Sequence, residues 1–387
     1  VSAGLMTTPI DASVLRGHLD LERTPRGLVP HRLPPAARRR IPDERLASAQ
    51  AQPSGMRLVF RTAATTLELE TIPTKRVYAG LPPRPDGVYD LLVDGRLIAQ
   101  TTVPGGDLDT VVDMTTQETV VTEGTSGTAR FDDLPPGEKR VEIWLPHNEA
   151  ARLIALRSDA PIAPIADDAR RVWLHHGSSI SHGSNATHPT GTWPAIAATA
   201  RGVDLINLGF GGSALLDPFT ARTMRDTPAD LLSIKIGINI ANGDVMRLRA
   251  FTAAMHGFLD TVRDGHPTTP LLVISPILCP IQEHTPGPVM PVPTRSGLRF
   301  EATGDPADVR FGRLTLTVIR DELARIVTDR AAEDANLHLL DGRALYGPDD
   351  HARLPLPDAL HPDGTTHRLI GERFSDLAFG HGGAFHQ

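Results

Sequence analysis

From about residue 170 onward, apolar runs of strand length alternate with helical periodicity, and this alternation constrains the fold more than any other feature of the 387-residue chain. The runs are VWLHH, VDLINL, LLSIKIG, PLLVISPIL and NLHLL. Among and after them, Leu248, Phe251, Met255, Leu259 and Val262 recur at steps of three and four. Leu316, Ile319, Leu323 and Ile326 do the same, as do Ile370, Phe374 and Leu377. Each set makes one apolar stripe, the mark of an amphipathic helix. Strands separated by helices require βαβ crossovers, hence a parallel sheet covered on both faces. Ligands of such sheets bind beyond the carboxyl ends of the strands, so the residues that follow each strand are where chemistry is expected.

The preceding part has a different texture. Between about residues 56 and 157, short alternating runs (MRLVFR, TLELE, VYDLLV, RLIAQ, TARF, KRVEIWL, RLIALR) are punctuated by Gly, Pro and Asp. Asp94 and Gly95 separate two of them as a two-residue hairpin turn does, because Asp-Gly tolerates positive φ angles. Val141, Ile143 and Leu145 point one face inward after a Pro-Pro-Gly turn. Many short strands without helical period predict a β-sandwich of about 100 residues. The expected organisation is an extended segment over 1–55 packed on the sandwich, the sandwich over 56–160, and the α/β domain over 168–387. The linker falls in DAPIAPIADDARR, and Arg38, Arg39 and Arg40 are read as solvated surface.

Composition narrows the function classes. Hydrophobic residues at 40% and charged residues at 22% are those of an ordinary globular chain. A net charge of −7 gives no basic footprint for nucleic acid or an anionic membrane surface, so a small molecule or neutral polymer is the expected partner. The one cysteine, Cys279, sits in an apolar run and reads as a buried small hydrophobe. No run approaches the roughly 18 apolar residues of a membrane span, and VSAGLMTTPIDASVLRG lacks the pattern of a signal peptide. A cytoplasmic location is expected, or a secreted one for a trimmed mature form.

Four strand ends carry candidate chemistry. The first run leads into HHGSSISHG, His175 to Gly183, with three serines and three histidines in nine residues. A serine hydroxyl is a weak nucleophile unless a base takes its proton, and the spacing does not fit the G-x-S-x-G elbow. The second run leads into Asn207-Leu208-Gly209-Phe210-Gly211-Gly212-Ser213-Ala214. Closely spaced glycines turn backbone N–H groups toward an anion. The same letters match a dinucleotide fingerprint, G-x-G-x-x-A, although that fingerprint belongs on the first βα turn rather than the second. The third run ends at Gly237-Ile238-Asn239, where a side-chain amide can donate to an oxyanion. Near the C-terminus, Asp358 precedes His361 by three residues, a spacing that lets a carboxylate orient an imidazole. Pro362 keeps His361 extended, and Asp363 or Thr365 is placed to cap the helix that follows.

In this order the four segments resemble the SGNH (GDSL-type) hydrolase family. The resemblance implies a flavodoxin-like, five-stranded parallel α/β sheet with helices on both faces. It implies Ser179 as nucleophile, His361 and Asp358 as its base and orienting acid, and an oxyanion hole from the Ser179 and Gly212 amides and Asn239. Ser178 replaces the family's usual Asp and leaves a second hydroxyl beside the nucleophile, and Ile240 stands where Asp is frequent. The sandwich, jelly-roll-like, is similar to one that precedes the catalytic domain of some carbohydrate esterases. The implied activity is hydrolysis of short acyl, above all acetyl, esters of a sugar or small alcohol, with no metal and no organic cofactor. Acyl transfer to another alcohol, lipase-type acylhydrolysis and a noncatalytic binding module on the same fold are the alternatives.

A Pro- and Gly-rich stretch of about 30 residues, starting at Cys279, separates the fourth strand from the next helix; loops of that length are often lids or pocket walls. Glu283 and His284 within it are candidate substrate contacts. His175, His176 and His182 match no metal-ligand spacing.

Overall fold

The computed structural model describes residues 4–80, 82–113, 118–165, 169–295 and 297–386. The chain divides into two units, Val1–Arg170 with His188–Thr190, and Arg171–Thr187 with Gly191–Gln387.

The first unit consists of two sheets. An eight-stranded sheet runs in the order Thr119–Thr122, Asp107–Val111, Leu67–Tyr78, Ala150–Ser158, Gly27–His31, Asp20–Thr24, with Met6–Thr8 and Gly127–Phe131 paired off this path. A six-stranded sheet has the order Ile162–Pro164, Arg57–Thr62, Lys139–Trp144, Val88–Val93, Arg96–Thr102, with Leu15–Arg16 against Arg57–Thr62. Alternate residues of both sheets bury a common core that includes Leu58, Phe60, Leu67, Leu69, Leu91, Val141, Ile143, Leu153 and Leu156. This two-periodicity is what makes a sandwich of these sequences. Val93 pairs with Arg96 around Asp94 (φ 49°) and Gly95 (φ 78°), the left-handed pair of a type I′ turn.

The first 55 residues are not an extended segment lying on this unit. They supply strands to both sheets and the helices Pro35–Arg38 and Glu44–Ala51. Their strands are short and mix charge with Pro, so the alternation that betrays a strand never runs long enough to read. Arg38 is not plain solvated surface either, since it donates to Asp20 and to the Leu33 carbonyl, whereas Arg39 and Arg40 are exposed. The expected linker opens with the edge strand Ile162–Pro164, which extends the sheet past residue 160; residues 166–168 of that linker lie outside the described residues.

The second unit is built on one parallel sheet. Numbered along the chain, its strands are β1 (Val172–Gly177), β2 (Asp204–Gly209), β3 (Leu231–Lys235), β4 (Leu271–Ile274) and β5 (Leu337–Leu340), in the order β2-β1-β3-β4-β5. The helices are α1 (Ser179–His182), α2 (Trp193–Arg201), α3 (Pro218–Asp226), α4 (Ile238–Gly243), α5 (Leu248–Gly265), α6 (Leu316–Arg330), α7 (Pro348–Arg353) and α8 (Gly364–Phe379). Alternation along β1 sends Trp173 and His175 against Trp193 of α2, with Phe374 of α8 stacked on Trp173, while His176 stacks on Phe258 of α5. Both faces are thereby covered, and the strand order reverses beside β1. In α8 the buried stripe runs Ile370, Phe374, Ala378, and Leu377 is 45% exposed, because the helical period carries the stripe one position past it.

Candidate active site

β1 ends on Gly177, where a Cβ would collide with Ser181. Ser178 then caps α1: its Oγ accepts from the Ile180 N–H at 3.3 Å and its carbonyl from Ser181 and His182. That hydroxyl is fully buried and turned into its own helix. Ser179, the first residue of α1, remains 8% exposed, and its Oγ lies 3.1 Å from His361 Nε2. Of the two adjacent serines, Ser179 alone meets the imidazole.

The loop before α8 presents that imidazole. His361 Nδ1 is 2.8 Å from Asp358 Oδ2, and Asp358 Oδ1 accepts from the His361 and Leu360 amides at 2.7 and 2.9 Å. Asn185 donates to the same carboxylate at 3.3 Å. Burial acts to raise the Asp358 pKa, but the His361 side chain and these two amides outweigh it and hold the carboxyl at about 2. An ionised carboxylate only accepts, so Nδ1 carries the proton and Nε2 is left to accept from the Ser179 hydroxyl. Asp363, rather than Thr365, caps α8 by accepting from Thr366 N.

Packing under α1 fixes where Ser179 points. His175 Nε2 lies 2.8 Å from Ser181 Oγ, its Nδ1 lies 2.7 Å from Ser233 Oγ, and Trp173 Nε1 donates to the same Ser233. Complete burial pushes the His175 pKa well below its ordinary value, so this ring is neutral. Asn207 donates to the Ser181 carbonyl at 2.9 Å and accepts from the Gly209 amide, binding the end of β2 to the nucleophile's turn. A Cβ at Gly209 would stand 2.5 Å from the His182 amide nitrogen, so the turn needs glycine there.

The loop after β2 uses most of its amides internally. Gly209 N donates to Asn207, Phe210 N to the Gly177 carbonyl, Gly211 N to His182 Nδ1, Ser213 N to the Phe210 carbonyl and Ala214 N to Asn239 Oδ1. Gly212, at φ 70°, keeps an N–H without a hydrogen-bond partner among the described residues. This loop cannot offer the row of free amides that a pyrophosphate needs, which argues against the dinucleotide fingerprint. The same Ala214 bond orients Asn239, buried in the first turn of α4, so that its oxygen is engaged and its Nδ2 is the donor that remains. Ser179 N, Gly212 N and Asn239 Nδ2 are thus the donors on offer beside the Ser179 hydroxyl.

Two expected contacts fare differently. Glu283 is held by Arg320 through two hydrogen bonds of 2.7 and 2.8 Å and caps the Cys279 amide, so its carboxylate is neutralised by a buried guanidinium of α6 rather than held out to a substrate. His284 is exposed and makes no polar contact among the described residues. The three histidines of HHGSSISHG are engaged separately, His176 with the Leu208 carbonyl and the others as above. Asn207, His175 and Asn185 were missed as site residues. The Asn-x-Gly spacing on β2 is the signal that points to Asn207, while nothing local marks the other two. Among the described residues no helix is long and apolar enough to cross a membrane.

Residues 170–281 match the model of the GDSL-like lipase/acylhydrolase family. No curated protein matches the chain. Among solved structures it is similar to SsfX3, a salicylyl-acyltransferase from a tetracycline biosynthetic pathway, at 28% identity over 95% of each chain and a TM-score of 0.77. It is also similar to a putative GDSL-like lipase from Bacteroides ovatus, at 18% identity over 96% of each chain and a TM-score of 0.67. A third is an acetyl xylan esterase from the rumen bacterium Butyrivibrio proteoclasticus, at 12% identity over 99% of this chain and 100% of that one, with a TM-score of 0.54. Residues 170–281 thus match a GDSL-like lipase/acylhydrolase domain, and with its strand order and its candidate segments in sequence order the α/β unit has the fold of an SGNH-type hydrolase, following an N-terminal β-sandwich.

Proposed function

We propose that the protein cleaves carboxylic esters through an acyl-enzyme on Ser179, acting on short acyl groups, acetyl first among them, carried by a sugar or small alcohol. The observation that carries this reading is the unbroken relay from Ser179 Oγ to His361 Nε2 (3.1 Å) and from His361 Nδ1 to Asp358 (2.8 Å). His361 takes the serine proton as Oγ attacks the carbonyl, and Asp358 steadies the imidazolium. The Ser179 and Gly212 amides with Asn239 Nδ2 receive the negative charge that develops on the carbonyl oxygen. The tetrahedral intermediate collapses as His361 returns the proton to the departing alcohol, and water repeats the cycle on the acyl-enzyme. The acetyl preference and the sugar draw support from the acetyl xylan esterase, whose likeness is one of fold.

A second reading, transfer of the acyl group to an alcohol other than water, is favoured by the 28% identity with the salicylyl-acyltransferase over nearly the whole chain. The deciding experiment is a panel of activated esters from acetyl to aryl, run with and without an added alcohol acceptor. Turnover is expected for wild type and a loss of about 10⁴-fold or more for Ser179→Ala with an unchanged melting curve. A phosphonate should label Ser179 alone. Undiminished turnover in Ser179→Ala would overturn the assignment, and transesterified product in place of free acid would select the second reading.

A further inference from the structure

The stretch that follows β4 folds back as a hairpin of Val289–Thr294 and Gly297–Ala302. Along its second strand, half-buried Leu298, Phe300 and Ala302 alternate with exposed residues, so one face is turned to the protein. Phe300 lies on that face and grips the loop of the base twice. Its N–H donates to the Asp358 carbonyl at 2.9 Å, and its ring meets the His361 imidazole edge-on, with centroids 5.5 Å apart and planes at 78°.

The foot of the hairpin is fixed as well. Thr303 N and Gly304 N donate to the Pro288 and Pro286 carbonyls at 2.9 and 3.2 Å, and Gly287 packs so closely on the Ala241 carbonyl that a Cβ has no room. Ala241 belongs to α4, the helix that carries Asn239. The hairpin therefore reaches from the helix of the amide donor to the loop of the base.

A histidine ring has a broad χ2 torsion, and the Asp358 hydrogen bond holds only its Nδ1 corner. Rotation about Cβ–Cγ sweeps Nε2 past Ser179, whose own hydrogen bond to Nε2 is given up as Oγ attacks, so a further contact on the ring helps keep Nε2 in line. The Phe300 ring is that contact, and aromatic pairs at this separation and tilt are attractive beyond their buried area. We propose that Phe300 is a positioning residue for His361, which holds Nε2 within proton-transfer reach of Ser179 without itself touching the reacting atoms; this rests on the acyl-enzyme reading above.

The test compares Phe300→Ala, Phe300→Leu and Phe300→Tyr with wild type, with Met290→Ser as a control at an exposed position of the same hairpin. The readouts are kcat and KM for one activated ester, and the low-field proton resonance of the His361 Nδ1–H. Phe300→Ala is expected to lower kcat by about tenfold to a hundredfold with KM within about twofold, and to broaden the resonance, as loss of alignment at the reacting group does. Phe300→Tyr, which keeps the ring, should recover kcat to within a few-fold, and Met290→Ser should match wild type. If Phe300→Ala does not fold, Phe300→Leu, which keeps the apolar bulk but not the ring, carries the same expectation. Unchanged kcat and resonance in the ring-less variants, an effect confined to KM, or an equal loss in Met290→Ser would each overturn the proposal. Failure of a phosphonate to label Ser179 in wild type would instead remove the acyl-enzyme reading on which it rests.

Discussion

At the scale of single residues, the site turns on a choice between two neighbouring hydroxyls that are chemically alike. Ser178 and Ser179 differ only in what the start of α1 does with them. The N-cap position folds the Ser178 hydroxyl onto the Ile180 amide, and the next position releases Ser179 toward His361. An N-cap contributes about 1 kcal/mol to stability. Ser178→Ala is therefore expected to lower stability by about that amount in denaturant titration while keeping turnover within about threefold. A loss of activity comparable to that of Ser179→Ala would assign Ser178 a part in the chemistry that its geometry does not suggest. Glu283 shows the converse case, a residue of the right chemical type that Arg320 has already claimed.

At the scale of elements, the machinery is assembled by close approach of backbone to backbone. The end of β2 and the turn of α1 touch at Gly209, and Asn207 ties the same two elements. A methyl group at residue 209 would have to displace the His182 amide, and α1 would move with Ser179 on it. Gly209→Ala is expected to destabilise the fold by roughly 1–3 kcal/mol, the usual penalty for overpacking. It should also lower kcat more than tenfold, because a shift of about an ångström at the nucleophile is enough for that. Wild-type kcat in this variant would mean that the turn yields elsewhere. The glycines were legible as a loop, but their reason for being there, a helix packed on the strand end, belongs to the assembled elements.

At the scale of the whole molecule, buried titratable groups tilt stability with pH in opposite directions. In the α/β unit His367 is fully buried, its Nε2 donating to the Ser184 carbonyl, and burial lowers its pKa from 6.5 to about 4. The unfolded chain binds that proton first, so the stability this neutral ring confers is complete above about pH 6.5 and declines as pH falls toward 4. The whole shift is worth on the order of 3 kcal/mol. In the sandwich unit, burial raises the Glu149 carboxyl from 4.5 to about 7, and this works the other way: its contribution is present below about pH 4.5 and is lost as pH rises through 7. The two slopes oppose each other over nearly the same window, so the melting midpoint should rise less steeply with pH between about 4 and 6.5 in His367→Gln, and more steeply between about 4.5 and 7 in Glu149→Gln, than in wild type. Profiles parallel to wild type in both variants would show that these groups titrate in the fold as they do in the open chain.

Periodicity, turn chemistry and capping act over a few residues, and for that reason the sequence by itself determined the five strands of the α/β unit and its helices α5, α6 and α8, the Asp94-Gly95 turn, and the four segments bearing the candidate groups in order. Short, charged strands of the first 55 residues carry no such period, and only pairing with distant strands reveals them. The meeting of Ser179 with His361 across 182 positions, the turning inward of Ser178, the capture of Glu283 by Arg320 and the seating of Phe300 on the imidazole were decided by tertiary structure alone. Each depends on the direction in which a side chain leaves a packed backbone, and that direction is set by neighbours remote in the chain.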